Sequence, residues 1–501
     1  MKTEDGRELR RLSCARSLDA ASGDRVCLFR LYPLEEGTYL LEGGGETRSF
    51  RVLRRPWAGV TAALIKGLYF QRCGCALPEK CAGPYARPAC HLVPAKEWED
   101  PAKGRTVPGG WHDAGDYGKY VGPGAVAAAH LMYAWRLFPS GCDAPLAIPE
   151  SGNGVPDVLN EVRFELDWLL RMQREDGAFC HKLTKARFAP FILPQDDLEQ
   201  EYLLPVSSCA TGAACACLAL ASRVFSPFDE DFSARALRSA RRAWQWLKAH
   251  PTPLPFQNPE GVRTGQYGDA CDRDERFWAA CELFCATGEG AMLAEAETLC
   301  AEGRDLTRFG WADVSGLGAL CCLFDLGGAA GPLLEAPLKR DFLARCEGIL
   351  SLSRLSGYGT ALAADGYVWG SNLSVLSHAM ALIAGYLLTG REDMREAALL
   401  QWNYLLGMNA LDRCFVTGYG QRPVRHPHHR PSAADGVDAP VPGLVAGGPN
   451  QRFPYPATRE RLGADTPPAK YYLDETPSAD TNEIAVYWNT PAVFVAAFFN
   501  R

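Results

Sequence analysis

Asp113 and Asp116 stand three residues apart in the stretch Gly109-Gly-Trp-His-Asp-Ala-Gly-Asp-Tyr-Gly-Lys-Tyr120, edged by Trp111, Tyr117 and Tyr120. Two carboxylates beside aromatic rings suit sugar chemistry. The acids can handle protons at a glycosidic bond, and the rings offer flat apolar faces to the C–H faces of a pyranose. Glycines at 109, 110, 115 and 118 make this a poor helix and a good active-site loop. An ordinary Asp-Gly turn with solvated acids is the competing reading.

A second group of candidates lies near the C-terminus. In Thr417-Gly-Tyr-Gly-Gln-Arg-Pro-Val-Arg-His-Pro-His-His-Arg430, histidines and arginines gather beside glycines. They suit a metal site, or equally the hydrogen-bonding of sugar hydroxyls. Further on, Asp474, Glu475, Asp480 and Glu483 share one loop. The first three read as solvated or helix-capping acids. Glu483 is followed by Ile484, Ala485, Val486, Tyr487 and Trp488, an apolar setting that raises a carboxyl pKa and keeps it protonated, as a general acid requires.

These loops need a scaffold, and the chain is long enough to supply one. Its 501 residues are 47% hydrophobic, 22% charged and 10% aromatic, which describes a globular chain with one large domain and a small one. The net charge of −7, with no basic run, gives no reason to expect nucleic acid or an anionic membrane as partner. No apolar run reads as a membrane span, and the start has no signal-peptide core. The chain as given is expected in the cytoplasm, as a monomer, or outside the cell if a segment precedes residue 1. Most of the nineteen cysteines, such as Cys209, Cys215, Cys217, Cys281, Cys285, Cys321 and Cys322, fall in helix-like apolar runs and read as small buried hydrophobes.

Residues 1–57 carry β-rich runs at 25–31, 37–42 and 47–53, which predict a partial β-sandwich of immunoglobulin-like type. About 55 residues are too few for a complete one. From 58 to 501 the pattern is helical. Leu159, Val162, Leu166, Leu169 and Met172 mark one helix face. Similar periodicity predicts helices near 59–71, 122–138, 156–174, 208–225, 232–249, 274–287, 290–302, 315–327, 337–353, 372–389, 392–406 and 490–500, the last with Pro491 in an early position. Twelve helices without parallel strands predict an (α/α)6 toroid, so the fold class is mainly α. The long segments 73–121, 252–273 and 407–489 lie between helices, and loops of that length are usually functional.

Taken together, these blocks resemble glycoside hydrolase family 9, the inverting cellulase family, in its members with an N-terminal immunoglobulin-like module. The 109–120 block is similar to that family's water-activating loop. Tyr367-Val-Trp-Gly-Ser-Asn372, Tyr404-Leu-Leu-Gly-Met-Asn409, the 417–430 block, Gly447-Gly-Pro-Asn450 and Asn482-Glu-Ile-Ala-Val-Tyr-Trp-Asn489 are similar to later family blocks, in family order. The resemblance implies Asp116 as the general base, Asp113 as its partner in holding the water, and Glu483 as the general acid. Inversion needs one protonated and one ionised carboxyl about 6.5–9.5 Å apart on opposite faces of the sugar. His428 and Arg430 would bind substrate, with Trp369 and Tyr419 as candidate stacking surfaces.

Members with the module hold a structural zinc, and the matching positions here are Cys73, Cys90, His91 and His112, with Cys75 and Cys81 as competing thiols. Two thiolates and two imidazoles suit a closed tetrahedral site. Calcium is common in the family, and Asn153, Asp157 and Glu161 offer oxygens, although they equally suit a helix start. Two positions depart from the family pattern near the active-site blocks: Ala479, where an aromatic is usual, and Cys414, where a small hydroxyl residue is usual. The expected function is inverting hydrolysis of β-1,4-glucosidic bonds, with soluble cellodextrins or β-glucan as substrate. The alternatives are an exo-β-glucosaminidase of the same family and a non-catalytic glycan-binding protein.

Overall fold

The computed structural model describes residues 1–13, 16–29, 31, 34–43, 45–300 and 305–501. Each of the twelve periodic segments forms a helix: α1 Ala58–Phe70, α2 Val121–Leu137, α3 Asp157–Met172, α4 Ser208–Phe225, α5 Glu230–Ala249, α6 Arg273–Thr287, α7 Gly290–Cys300, α8 Ser315–Leu320, α9 Gly331–Leu355, α10 Ser371–Thr389, α11 Glu392–Leu405 and α12 Val486–Phe499. The π-helical turn Cys321–Asp325 extends α8. Residues 301 and 302, expected at the end of α7, lie outside the described residues, as does Arg30 of the first β-rich run.

The even-numbered helices form an inner ring. α2 packs on α4, α4 on α6, α6 on α8, α10 on α12 and α12 back on α2, while α1, α3, α5, α7 and α11 pack outside α12, α2, α4, α6 and α10, and α9 also packs against α10. This is the arrangement expected of an (α/α)6 barrel, and composition explains which helix goes where. Residues Val486 to Phe498 of α12 are all buried, as are nearly all residues of α4. The outer α3 buries one stripe, Leu159, Val162, Leu166, Leu169 and Met172, each 0% exposed. Each such side chain contributes about 1.5–3 kcal/mol by leaving water.

Two helices, α4 and α10, are long and apolar enough to cross a membrane by length and composition, contrary to the expectation from sequence, with 94% and 61% of their windows buried inside the protein. Their apolarity follows from their place in the inner ring, where neighbours cover nearly all of α4 and the larger part of α10. Side chains cap α4 and α5: Ser207 accepts from the Ala210 N–H and Asp229 from the Phe232 N–H. α12 begins at Val486, four residues before the predicted start, so Pro491 lies inside the helix and removes one backbone bond from it.

The N-terminal module is smaller than a sandwich among the described residues. The second and third β-rich runs form β4 (Gly37–Gly43) and β5 (Glu46–Val52), which pair as an antiparallel hairpin joined by β1 (Lys2–Thr3). Only Arg25 and Val26 of the first β-rich run form a strand, β3, which pairs with β2 (Ser17–Leu18).

A five-stranded sheet of two- and three-residue strands lies among the loops, in the order β7 (Gly104–Arg105), β6 (Ala95–Glu97), β10 (Tyr202–Leu203), β9 (Lys182–Thr184), β8 (Lys119–Tyr120). Sequence periodicity gives no sign of it, because strands this short complete barely one alternation. It matters because β8 directly follows Asp116 and fixes that loop through Tyr120 opposite Lys182.

Candidate active site

Four loops interlock through backbone bonds at one end of the helical ring. The Val486 N–H donates to the Asp113 carbonyl at 2.8 Å, and Ala114 bridges Ala485. The His428 N–H donates to the Asn482 carbonyl at 2.9 Å, the Arg430 N–H to Gly115 at 3.0 Å and the Gly447 N–H to Glu483 at 2.8 Å. The loops meet so closely that a Cβ on Gly115 would fall 1.9 Å from the His428 carbonyl oxygen. Only glycine fits there. Gly110, at φ 77° beneath the Trp168 ring, is a second position that requires it.

Asparagines hold the far side of this weave. Asn450 donates to the Asp480 carbonyl at 2.9 Å, and Asn489 to the carbonyls of Leu64 and Gly443. Asp474 and Asp480 differ from their sequence reading as solvated or capping acids. Asp474 pairs with Arg413 and accepts from the N–H groups of Arg425 and His426, while Asp480 is buried and accepts from Tyr455, Thr458 and Ser478. Both fix the loop that carries Glu483.

The weave lines a cleft of about 600 Å³. Asp116, Glu483, His428, Arg430 and Trp369 all face it, together with Tyr120, Tyr267, Trp311, Tyr455 and Tyr487. Asp113 is buried behind them, 2% exposed. Tyr419 does not reach this cleft: its hydroxyl donates to the Gly59 carbonyl at 3.2 Å, and the ring lines a separate hollow with Pro145, Leu146 and Pro442 against α1. Ala479 lines the cleft, whereas Cys414 is buried away from it.

The three acids sit in different fields. Burial raises Glu483 well above the ordinary carboxyl range, reinforced by the charges of Asp116 and Asp113, while Arg430 and the Trp369 indole oppose the shift. Asp113 is also raised well above that range by burial, opposed by a hydrogen bond from Tyr267. Burial raises Asp116 too, but two cations, Arg430 and Lys182, and the Gly118 N–H pull it back. One carboxyl raised well above its range, beside one whose rise is limited by two cations, suits an acid–base pair.

His428 Nδ1 hydrogen-bonds the Thr476 carbonyl at 2.6 Å, which fixes the ring at the cleft wall. The Arg430 guanidinium donates to the carbonyls of Ala189 at 2.7 Å and Gly115 at 2.8 Å. It therefore positions the Asp116 loop as well as facing the cleft. Residue-by-residue reading of the sequence misses Tyr267, Lys182, Trp311 and Tyr487. The only signal for Tyr267 is the length of the 252–273 segment that carries it.

Beside the cleft, Cys73, Cys90, His91 and His112 each bring one donor atom to a common point, all within 4.8 Å of one another. Cys75 and Cys81 stand outside this group, as do Asn153, Asp157 and Glu161. Asp157 accepts from Leu146 N and Ser151 Oγ, and Glu161 pairs with Arg72. His91 takes φ 51°, a left-handed value uncommon for a non-glycine residue, so the local fold imposes its orientation. Its other nitrogen lies 3.4 Å from Asp197 Oδ2, the type of outer contact that orients a ligating imidazole. The Cys90 thiol is pulled well below its ordinary range by its hydrogen bond from Cys73, against burial, with His112 and His91 adding to the pull. The residues fit a closed tetrahedral metal site.

Residues 57–496 match the family described as glycosyl hydrolase family 9. A cellodextrinase of Butyrivibrio fibrisolvens is 36% identical over 92% of this chain and 87% of its own length. Among solved structures, a thermostable endoglucanase from Alicyclobacillus acidocaldarius superposes with a TM-score of 0.92 at 37% identity, covering 100% of this chain and 94% of the other. A Zn-binding triple mutant of the family 9 endoglucanase J30 gives 0.89 at 32% identity, with 97% and 93% covered.

Proposed function

The chain belongs to glycosyl hydrolase family 9 and is a hydrolase of β-1,4-glucans, and on that premise we propose that it inverts the anomeric centre, with soluble cello-oligosaccharides or β-glucan as substrate. The observation that carries the mechanism is the contrast between Glu483 and Asp116 on one cleft: burial, reinforced by neighbouring acids, raises the first well above its ordinary range, whereas Arg430, the Gly118 N–H and Lys182 limit the rise that burial causes in the second. Glu483, protonated, gives its proton to the leaving oxygen. Asp116, as carboxylate, takes a proton from water that attacks the anomeric carbon from the opposite face, so the β-glycoside yields an α-hemiacetal. Asp113 Oδ2 accepts from Tyr267 at 2.5 Å, and its Oδ1 has no hydrogen-bond partner in the protein, which suits it to hold that water.

Trp369, 38% exposed at the cleft wall, offers a face for a sugar ring, and His428 a polar group for its hydroxyls. Cys73, Cys90, His91 and His112 would hold a structural zinc. Bound there, the ion would supply no chemistry at the sugar. It would tie the 73–91 loop to His112, next to Asp113.

NMR of cellotetraose during hydrolysis tests this reading, following the configuration of new reducing ends with Glu483→Gln as control. New α-anomers that disappear in the variant are expected. New β-anomers would overturn inversion, and the absence of cleavage on cello-oligosaccharides and β-glucan would overturn the substrate assignment.

A further inference from the structure

Among the described residues no carboxylate forms an ion pair with the buried Lys182. It lies on β9, opposite Tyr120 of β8, and is 0% exposed. Its Nζ donates to Asn258 Oδ1 at 2.7 Å, Thr264 Oγ1 at 3.0 Å and the Gly265 carbonyl at 2.7 Å. It also lies 5.5 Å from the centre of the Tyr120 ring and 5.3 Å from that of Phe256. All the contacting acceptors are uncharged. The Thr264 carbonyl lies 3.5 Å away as a fourth acceptor. An ammonium can donate throughout this set, whereas a neutral amine would need the Thr264 hydroxyl to turn and donate to its lone pair; the set suits the charged form, against a burial penalty that pulls the group down to about 7.

A fold that needed only hydrogen bonds at this place would be served by an uncharged donor. Gly265 and Thr264, which hold the ammonium, line the cleft and the small cavity that Asp116 also lines, and Asp116 is the acid whose charge bears on Lys182. Arg430 is the larger cationic influence on Asp116, and Lys182 adds a second. Arg430, from the 417–430 loop, has its guanidinium engaged with the carbonyls of Ala189 and Gly115. Glu483 and Asp113, both raised well above the ordinary carboxyl range by burial, supply no positive charge, and the Tyr120 hydroxyl is neutral. In the small cavity behind Asp116, Lys185 is paired with Asp197, and Arg187 and Glu201 carry opposite charges.

We propose that Lys182 is a positioning residue for catalysis: its buried ammonium, held by Asn258, Thr264 and Gly265 beneath Tyr120, keeps Asp116 ionised so that it can take the proton of the attacking water. The proposal rests on the reading of Asp116 as the base. It gives a reason for a lysine on a three-residue strand in the core. Asp116 is 7% exposed, where burial by itself would favour the protonated, inactive form. It also assigns a task to the five-stranded sheet, which brings β9 under the catalytic loop.

The test is the pH profile of kcat/KM on cellotetraose for wild type, Lys182→Met and Lys182→Gln, with melting temperature and zinc content confirming the fold. Removing the cation should move the acidic limb to higher pH by about one unit or more. It should also lower kcat/KM most at the acidic end. A folded variant whose limb stays at the wild-type position, with only a uniform loss of rate, would make Lys182 purely structural and overturn the proposal. If neither variant folds, the wild-type profile decides: a limb below about pH 6 supports a base held ionised by its cations, and a limb above it does not. Asp116→Ala separates the two ideas. Near-normal turnover there removes the base itself, whereas an inactive Asp116→Ala beside an unmoved Lys182→Met limb removes only the role of Lys182.

Discussion

The Tyr267 hydroxyl donates to Asp113 Oδ2 at 2.5 Å, joining residues 154 apart in the chain. Tyr267 takes φ 47°, uncommon outside glycine, and its ring packs edge-on against Tyr120 and Trp311. One side of Asp113 is thereby fixed and the other left facing the water it would hold. A hydrogen bond of this kind contributes about 0.5–1.5 kcal/mol, so Tyr267→Phe should lower kcat by roughly 3- to 10-fold with little change in melting temperature. An unchanged kcat would mean that Asp113 needs no such anchor.

Asp116→Ala and Glu483→Gln should each reduce kcat by roughly 10²- to 10⁴-fold while the fold survives. The alkaline limb should depend on Glu483. Because its pKa is raised well above the ordinary value, the protonated acid persists to higher pH and is lost as pH rises through that raised value. Wild type should therefore keep activity well above pH 4.3, the ordinary glutamate value. Restoring the leaving group with an activated aryl cellobioside should rescue Glu483→Gln and flatten its alkaline limb. A limb that persists in the variant would belong to another group.

About one zinc per chain is expected by elemental analysis. Cys90→Ser should abolish it and lower the melting temperature. Asp197→Asn, which weakens the outer contact of His91 and also the pair with Lys185, should weaken zinc binding by roughly 10- to 100-fold in a chelator competition. Metal-free protein that tolerates Cys90→Ser without a thermal shift would rule out the site.

Glu165 predicts how stability changes with pH. It is 1% exposed and accepts from the Trp111 N–H at 2.7 Å, and burial pushes its carboxyl up to about 8. A folded value above the unfolded one, near 4.3, means that the folded state binds more protons between the two. Its contribution is therefore complete at low pH and is lost as pH rises towards about 8. Glu165→Gln keeps an acceptor for Trp111 and cannot ionise, so it should raise the melting temperature at pH 8 relative to pH 5. An equal change at both would show that Glu165 does not titrate in this range.

The local record in the sequence was sufficient for the twelve helices of the ring, though not for short ones such as Arg430–Ala434 and Pro456–Leu462. α3 announces its buried stripe by three- and four-residue steps, and the inner α4, α10 and α12 announce themselves by being largely apolar, whereas the inner α6 carries Arg273, Asp274, Glu275, Arg276 and Glu282. The acids were legible for a similar reason. Glycines beside Asp113 and Asp116, and the apolar run after Glu483, create much of each acid's environment from its own neighbours in the chain. His112 likewise stands beside the loop it would tether.

Tertiary structure decided whatever depends on distant partners or on elements too short to have a period. β8 and β9 hold two and three residues, so no alternation marks them, yet they place Lys182 beneath Tyr120 and behind Asp116. Tyr267 reaches Asp113 only because the 252–273 segment folds over the ring. Tyr419, in a glycine-rich stretch like those of the cleft, turns outward to the Gly59 carbonyl because its loop runs back along α1. Asp474 and Asp480 became anchors once backbone N–H groups and hydroxyls from other loops converged on them. A sequence carries the periodicity of its elements and the chemistry of its side chains, but the field at a buried carboxyl is summed over neighbours in space, and those are chosen only when the chain closes on itself.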